Sequence, residues 1–428
     1  MKAVILAGGK GTRLAKLVKD IPKPLIKIGG KPVIEHQILF LRKHGIKEIW
    51  ILIGFLGDQI KEYLKDGKKW GVIIHYSQEK KLLGTAGALK ILQNKIKKDF
   101  LVLSGDVMLN FDLKGFIKYH RSKKGIASII VRPSDHPLDS DLVEVNKEWQ
   151  IIDLLKKPHS NKLNFHNLSI ASVYIFSPKV FNYIPLNIKS NIEKDILPLV
   201  LKSKNKVYAY ISSGYFKDIG VPERLLKARK DYVSGKIKKY SFKRKAFFLD
   251  RDGVINEEVD QLCNAINLKI YDFTAKAIKK TNEAGDLAIV ISNQPMVAKG
   301  FMKEIDLDEI QKKIETKLGF KKAKIDAFYY CLHHPEKGFP GEVPKLKIKC
   351  KCRKPEIGLL LKAKKEFNID FKKSFFIGDK TSDILAGQRA GCKTILVKTG
   401  YGGKDKFFSV NPDFTAKNLL EAINNIYD

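Results

Sequence analysis

The stretch "FFLDRDGVIN", Phe247 to Asn256, decides how this chain is built. A run of large apolar residues stops there at two carboxylates one residue apart, past the middle of a chain of 428 residues. Carboxylates at the end of an apolar strand are costly to bury side by side unless a cation such as magnesium neutralises them. Asp250 and Asp252 therefore predict a strand-end metal site, and with it a second α/β unit, because the chain already opens on "LAGGKGTRL" (Leu6 to Leu14), a strand running into a glycine-rich turn.

Working outward, short apolar runs alternate with helix-like segments in both halves. "AVILAG" (Ala3 to Gly8), "EIWILIG" (Glu48 to Gly54), "GVIIHY" (Gly71 to Tyr76) and "DFLVLSGD" (Asp99 to Asp106) are the strands expected in the first half. "AFFLD" (Ala246 to Asp250), "DLAIVISN" (Asp286 to Asn293), "SFFIGD" (Ser374 to Asp379) and "KTILVKTG" (Lys393 to Gly400) are those of the second. Such alternation predicts largely parallel sheets, in which ligands lie at the carboxyl ends of strands. The basic stretch "VSGKIKKYSFKRK" (Val233 to Lys245) has no apolar face and is expected to link the halves. The organisation expected is 1–235, a linker 236–245, and 246–428, two Rossmann-like α/β domains.

Composition narrows the function. The apolar fraction is 44%, and no stretch approaches the roughly 20 apolar residues of a membrane helix. With too short an apolar stretch at the start for a signal peptide, a cytoplasmic protein that does not enter a membrane is expected. The formal charge of +34 invites nucleic acid as a partner. The cations are mostly lysine and spread along the chain, which favours small anionic substrates instead.

Motifs carry the chemistry. In "LAGGKGTRL", glycines let the backbone approach a phosphate closely, and "IPKPL" (Ile21 to Leu25) holds Lys23 between two prolines on a stiff backbone. "LGTAGAL" (Leu83 to Leu89) is a second glycine loop, able to pass over a flat base and ribose. "SGD" (Ser104 to Asp106) and "YFKDIGVPERL" (Tyr215 to Leu225) end strands in Asp106 and Asp218, each a candidate hard-metal ligand. A carboxylate that merely caps the next turn is the plainer alternative for Asp106.

With "GGKGTRL", "PKP", "LGTAGAL", "SGD", "EKD" and "DIG" in this order, residues 1 to about 235 resemble the sugar-1-phosphate nucleotidyltransferases, with a GT-A-like sheet. The resemblance implies attack by a sugar-1-phosphate oxygen on the α-phosphorus of a nucleoside triphosphate. It gives the triphosphate to Gly8, Gly9, Gly11, Thr12, Arg13 and Lys23, the base and ribose to Gly84 and Thr85, and magnesium to Asp106 and Asp218. In "LLKKPHS" (Leu154 to Ser160), Lys157 corresponds to the family's sugar-phosphate lysine, although Lys156 replaces an acidic residue. Ile170 and Ser172 stand where Asn and Gly are common near the sugar. Glu193 and Asp195 in "NIEKDILP" are sugar contacts or a charged turn.

The second half is similar to the haloacid dehalogenase superfamily of phosphatases. Asp250 corresponds to the nucleophile, Asp252 to the acid/base, Ser292 and Lys354 to the phosphate clamp, and Asn293 and Lys380 to further substrate contacts. Asp250, Asp379 and the Asp252 carbonyl would bind magnesium, with Asp383 behind them. Between these motifs, "CLHHPEKGFPGEVPKLKIKCKCRKP" holds a C-x-H pair and a C-x-C pair, four ligands suited to a closed tetrahedral zinc site at Cys331, His333, Cys350 and Cys352. The preference for His333 over His334 follows the family pattern; Cys263 and Cys392 are expected core thiols.

The zinc loop resembles those of heptose 1,7-bisphosphate phosphatases and of histidinol-phosphate phosphatases. Arg353 would suit a second substrate phosphate, or simply face solvent. The resemblance implies a bifunctional enzyme: removal of the 7-phosphate of D-glycero-D-manno-heptose 1,7-bisphosphate, then nucleotidyl transfer, GTP being implied, to the heptose 1-phosphate. Alternatives are a histidinol- or other sugar-phosphate phosphatase joined to a hexose-1-phosphate transferase, and a nucleotide-sugar-sensing or RNA-binding regulator.

Overall fold

A computed structural model describes the chain except residues 10–13, 15–19, 80, 161, 162, 241, 260 and 261. The chain divides into two compact units. One comprises Met1–Arg132, Ser140–Lys157 and Leu168–Ser241; the other comprises Pro133–Asp139, Pro158–Asn167 and Phe242–Asp428. Both are α/β.

In the first unit the strand Lys2–Ala7 lies between Glu48–Ile53 and Phe100–Ser104, parallel to both, and Ile73–Gln78 continues the sheet beyond Glu48–Ile53. Beyond Phe100–Ser104 the strand Ser169–Phe176 runs antiparallel, followed by Leu142–Val145 and Ile151–Leu155. Both faces are covered, so the central strands are apolar on both sides. Ala3, Ile5 and Ala7 pack into one core layer, and Val4 packs into the other with Trp50 and Leu52. The chain leaves Lys2–Ala7 toward one side and later returns on the other. Its carboxyl end is thus the switch point where a crevice opens.

The second unit repeats the scheme with an all-parallel, six-stranded sheet. Ala246–Leu249 sits between Leu287–Asn293 and Phe375–Gly378, with Ala327–Cys331 outside the former and Lys393–Val397 and Phe414–Ala416 outside the latter. Leu249 pairs with Ile377, and the Asp250 N–H donates to the Ile377 carbonyl over 3.0 Å. The carboxylates that follow the two strands are therefore delivered to the same place, again at a switch point.

This unit also takes in two short segments that sequence patterning does not place there. In Pro158–Asn167, the buried Phe165 exchanges hydrogen bonds with Thr316 on the helix Glu304–Phe320, and His166 lies 2.9 Å from Asp308 and 3.6 Å from Glu315. Asn167 bonds both the N–H and the carbonyl of Ser134 in the other segment. Burial by itself lowers the His166 imidazole, but the Glu315 and Asp308 carboxylates outweigh it and lift the group to about 10. An imidazole raised above its unfolded value of about 6.5 contributes stability that is complete below that pH and disappears as pH rises through the folded value. His166→Gln is expected to cost about 3 kcal/mol at pH 6. By calorimetry, its deficit in thermal midpoint relative to the parent should shrink steadily between pH 7 and pH 10.5.

Candidate active sites

The cleft of the first unit, about 340 Å³, opens at the carboxyl ends of Lys2–Ala7 and Phe100–Ser104. Gly8 and Gly9 form one wall. A Cβ on Gly8 would lie 2.7 Å from Glu79 Oε1, so a larger residue there would push that carboxylate aside. Gly11, Thr12 and Arg13 lie outside the described residues. Lys23 begins a short 3-10 turn after Pro22, and its Nζ stands 3.4 Å from Asp106 Oδ2, while Ser104 Oγ donates to the other oxygen over 2.8 Å. Gln37, buried in the helix Val33–Lys43, pins the Asp106 turn by donating to the carbonyls of Ser104 (2.8 Å) and Val107 (2.7 Å).

The strand Tyr215–Asp218 pairs antiparallel with Val107–Asn110, setting Asp218 opposite Val107, and the Ile219 N–H donates to the Asp106 carbonyl. Two carboxylates far apart in sequence thereby become ladder neighbours. Arg224 Nη1 lies 2.7 and 2.8 Å from the two Asp218 oxygens, so a guanidinium partner accompanies this candidate metal ligand.

The second glycine loop lies on the helix Gly84–Lys90. Gly84 and Thr85 both line the cleft, but the Thr85 hydroxyl accepts from the Ile192 N–H and thereby fastens the loop to the segment of Glu193. Asp195 turns its carboxylate onto the Asn191 N–H at 2.7 Å, the charged-turn alternative. Glu193 instead points inward and accepts from the buried Tyr174 hydroxyl; burial raises its carboxyl, and the Tyr174 bond opposes that rise. The Lys157 side chain is exposed, and its N–H donates to Asp141; Lys156 reaches the Lys194 carbonyl. The register of Ser169–Phe176 against Ala127–Arg132 shifts between Ile170 and Tyr174, with Ser172 at φ +54°, a β-bulge that explains why glycine is common there.

In the second unit Asp250, Asp379 and Asp383 bring carboxylate oxygens within 4.8 Å of one another, all buried. The Lys354 ammonium lies 2.9 Å from Asp250 and 2.7 Å from Asp383, and donates to the Ile291 carbonyl. One ammonium does not balance three carboxylates. Burial, with the charges of Asp383 and Asp250 adding to it, raises Asp379 to about 8, and its Oδ1 is buried without a hydrogen-bond partner. The donor set, hard, anionic and under-neutralised, fits magnesium. Gly253, at φ +79°, lets the turn pass where a Cβ would meet Asp379 Oδ2 at 2.3 Å.

The Asp252 carboxylate is not in that cluster. It accepts from Arg251 at 3.0 and 2.9 Å, from Asn256 at 2.9 Å and from Gln294 at 2.9 Å. Burial would raise its carboxyl, yet the Arg251 charge and these donors bring it below the usual range. In this arrangement Asp252 is an ionised acceptor, the base form of an acid/base residue. Ser292 is buried and accepts from Gln294, whereas Asn293 exchanges hydrogen bonds with the Lys354 backbone and so orients the lysine. Arg353 donates to the His333 carbonyl, and Lys380 pairs with Glu258 at 3.0 Å.

Cys331, His333, Cys350 and Cys352 converge as their spacing predicts. The sulfurs stand 3.3 to 3.6 Å apart, and His333 Nδ1 is 3.2 Å from Cys352 Sγ. Zn–S bonds of about 2.3 Å imply ligand separations of about 3.8 Å around a tetrahedron, so the four residues fit zinc with little adjustment. His334 packs on Phe339 instead.

Each unit thus sets glycine, cation and carboxylate at the mouth of a parallel sheet, an arrangement for handling phosphate groups. Residues 2–235 match the nucleotidyl transferase family and residues 351–422 the HAD-hydrolase-like family. The chain belongs to the nucleotidyl transferase family, with a HAD-like hydrolase domain following. It is 34% identical over 244 residues to the probable mannose-1-phosphate guanylyltransferase 1 of Oryza sativa subsp. japonica, covering 55% of this chain and 63% of that protein. It is 35% identical over 252 residues to the UTP–glucose-1-phosphate uridylyltransferase of Synechocystis sp., covering 56% and 65%. The matches therefore span less than two thirds of these relatives. A D,D-heptose 1,7-bisphosphate phosphatase from B. bronchiseptica, solved with magnesium and phosphate, is 25% identical with a TM-score of 0.38, covering 43% of this chain and 98% of that one.

Cys350→Ser is expected to lose one equivalent of zinc per chain by elemental analysis, and its thermal midpoint should fall by more than about 5 °C because the Gly-, Pro- and Lys-rich loop has few apolar contacts of its own.

Proposed function

We propose that the chain is a bifunctional enzyme of nucleotide-sugar synthesis. Its second unit dephosphorylates a sugar bisphosphate, D-glycero-D-manno-heptose 1,7-bisphosphate by the resemblance of its motifs, and its first unit joins a nucleotide to the sugar 1-phosphate that remains. The observation that carries this is the Asp250, Asp379, Asp383 and Lys354 constellation standing in the same chain as a nucleotidyl transferase domain. The product of the one site has the chemistry of the other's substrate.

In the phosphatase, an Asp250 oxygen attacks phosphorus to give an aspartyl phosphate, and Lys354 and Ser292 hold the phosphoryl oxygens. Magnesium held by Asp250, Asp379 and the Asp252 carbonyl, with Asp383 behind, would neutralise charge on the transferred group. Asp252, ionised among its four donors, takes the proton of the water that cleaves the aspartyl phosphate. Donation to the leaving alcohol requires that carboxyl to part from Arg251 and carry a proton.

In the transferase, Lys23 with Gly8 and Gly9 binds the triphosphate, and Asp106 and Asp218 would hold magnesium on it. Lys157 takes the sugar phosphate and Glu193, fixed by Tyr174, takes sugar hydroxyls. Glu79 was not evident from sequence and bears on the base. It lines the cleft with Leu6, Leu52 and Leu82, and its Oε2 accepts from the Leu83 N–H, leaving Oε1 against Gly8. A carboxylate matches an edge made only of donors, which guanine presents at N1 and N2; uracil flanks its single donor with carbonyl oxygens that a carboxylate repels. This supports GTP.

Incubation with magnesium, heptose 1,7-bisphosphate and all four nucleoside triphosphates should yield GDP-heptose by mass spectrometry; formation of heptose 1-phosphate alone would overturn the transferase half. Asp250→Asn should abolish phosphate release while transfer to supplied heptose 1-phosphate persists, and Asp106→Asn should reverse that pattern. Glu79→Gln should lower kcat/KM for GTP by about 10- to 100-fold, the worth of hydrogen bonds to a charged group, with a smaller loss for UTP.

A further inference from the structure

The chain order of the first unit is interrupted twice by segments that belong to the second. It crosses over at four peptide bonds ahead of the linker: Arg132–Pro133, Asp139–Ser140, Lys157–Pro158 and Asn167–Leu168. One of these bonds follows Lys157, the residue given to the sugar phosphate. On the first unit's side the four ends are knitted together around Asp141. Its Oδ1 accepts from the Lys157 N–H over 3.2 Å, its carbonyl accepts from the Ile170 N–H over 3.2 Å, and the Leu168 carbonyl accepts from the Val143 N–H over 3.0 Å. Ser169 pairs with both Leu142 and Arg132.

On the second unit's side one helix, Glu304–Phe320, holds both segments. Thr316 Oγ1 accepts from the buried Phe165 N–H over 2.9 Å and donates back to its carbonyl over 3.3 Å. Glu315 accepts from the Asn167 N–H and lies 3.6 Å from one nitrogen of His166, whose other nitrogen is 2.9 Å from Asp308. A Cβ on Gly319 would lie 2.6 Å from Pro137 Cγ, so the other segment presses directly on the same helix. The phosphatase mechanism makes no use of these groups.

We propose that the helix Glu304–Phe320 sets the sugar-phosphate site of the first unit: Thr316, Glu315 and Gly319 are positioning residues for Lys157, acting through Pro158–Asn167 and Pro133–Asp139. The inference rests on the transferase reading, with Lys157 at the sugar phosphate, and adds to it a dependence on the phosphatase unit. Pro158–Asn167 begins one bond after Lys157, and a loose segment would let Lys157 sample many arrangements of which few meet a phosphate. Docking at Phe165, His166 and Asn167 removes that freedom before substrate arrives, so the helix raises sugar-phosphate affinity through position rather than contact. The nucleotide side differs. Gly8, Gly9, Lys23 and Asp106 lie on a part of the chain that precedes every crossing, so triphosphate binding is independent of this helix.

The test is steady-state transfer by the full chain, using GTP or UTP, whichever the parent prefers, with each of heptose 1-phosphate, mannose 1-phosphate and glucose 1-phosphate. Hydrolysis of p-nitrophenyl phosphate measures the phosphatase in parallel. Thr316→Val strips Phe165 of both hydrogen bonds. It should raise KM for the best sugar 1-phosphate by about five- to tenfold and leave KM for the nucleotide and kcat/KM for p-nitrophenyl phosphate within about twofold of the parent. Thr316→Ser keeps the hydroxyl and should behave as the parent. Gly319→Ala favours the helix itself but displaces Pro137, and should raise the same KM by at least about fivefold. Lys157→Ala should raise it at least as much. Two results would overturn the inference and leave the transferase reading standing: a rise in both KM values together, or no rise in Thr316→Val and Gly319→Ala while Lys157→Ala shows one. An unchanged KM in Lys157→Ala would overturn the assignment of that lysine and the inference with it; a parent that uses none of the three sugar phosphates would overturn both the inference and the transferase reading.

Discussion

Three carboxylates buried around one ammonium set the terms for the second unit. Removing Asp250, Asp379 and Asp383 from water is tolerable only with cations at hand, and Lys354 supplies just one. The remainder of the structure serves that imbalance. The sheet delivers Asp250 and Asp379 from adjacent parallel strands, Gly253 keeps the turn clear of Asp379, and Asn293 fixes the backbone from which Lys354 reaches inward. Apolar strands bring the charges together, and the negative charge that remains uncompensated fits the cluster for a divalent cation.

The first unit solves a related problem with less burial. Lys23 and Asp106 stand at 3.4 Å, both partly open to the cleft, so solvent keeps their pairing weak. Precision comes instead from what surrounds them. Gln37 spends both amide donors on the Asp106 turn, and the short ribbon of Tyr215–Asp218 with Val107–Asn110 carries Asp218 to the same end of the sheet. Farther along the sheet the strand bulges at Ser172, and Glu193 turns inward onto the Tyr174 hydroxyl. The sampled relatives transfer guanylyl and uridylyl groups to different sugars at nearly equal identity, so base and sugar preference are matters for these side chains.

Much of this was legible in the sequence because it is local. A strand that ends in carboxylate, two prolines around a lysine, and paired C-x-H and C-x-C ligands announce themselves within a few residues, and the α/β class follows from the alternation between them. The less legible residues act through partners remote in the chain. Glu79 matters because Gly8 and Gly54 let it stand at the cleft wall, and Gln37 because its helix passes under the Asp106 turn. The grip of Arg251 on Asp252 joins neighbours in sequence, yet its meaning depends on Asn256 and Gln294 completing the bracket.

By itself the sequence determined that there are two α/β units with largely parallel central strands, which residues end those strands, and which four side chains form a zinc-type cluster, since periodicity and spacing act along the chain. Only the tertiary structure decided that Asp252 stands ionised, that Asp195 serves a turn while Glu193 faces inward, and that Pro158–Asn167 is held through His166 in the second unit. The physical reason is the same in each case. A charge or hydrogen-bond donor takes its role from whatever is placed within about 3 Å of it, and that is settled by packing between segments whose order in the chain carries no record of their distance.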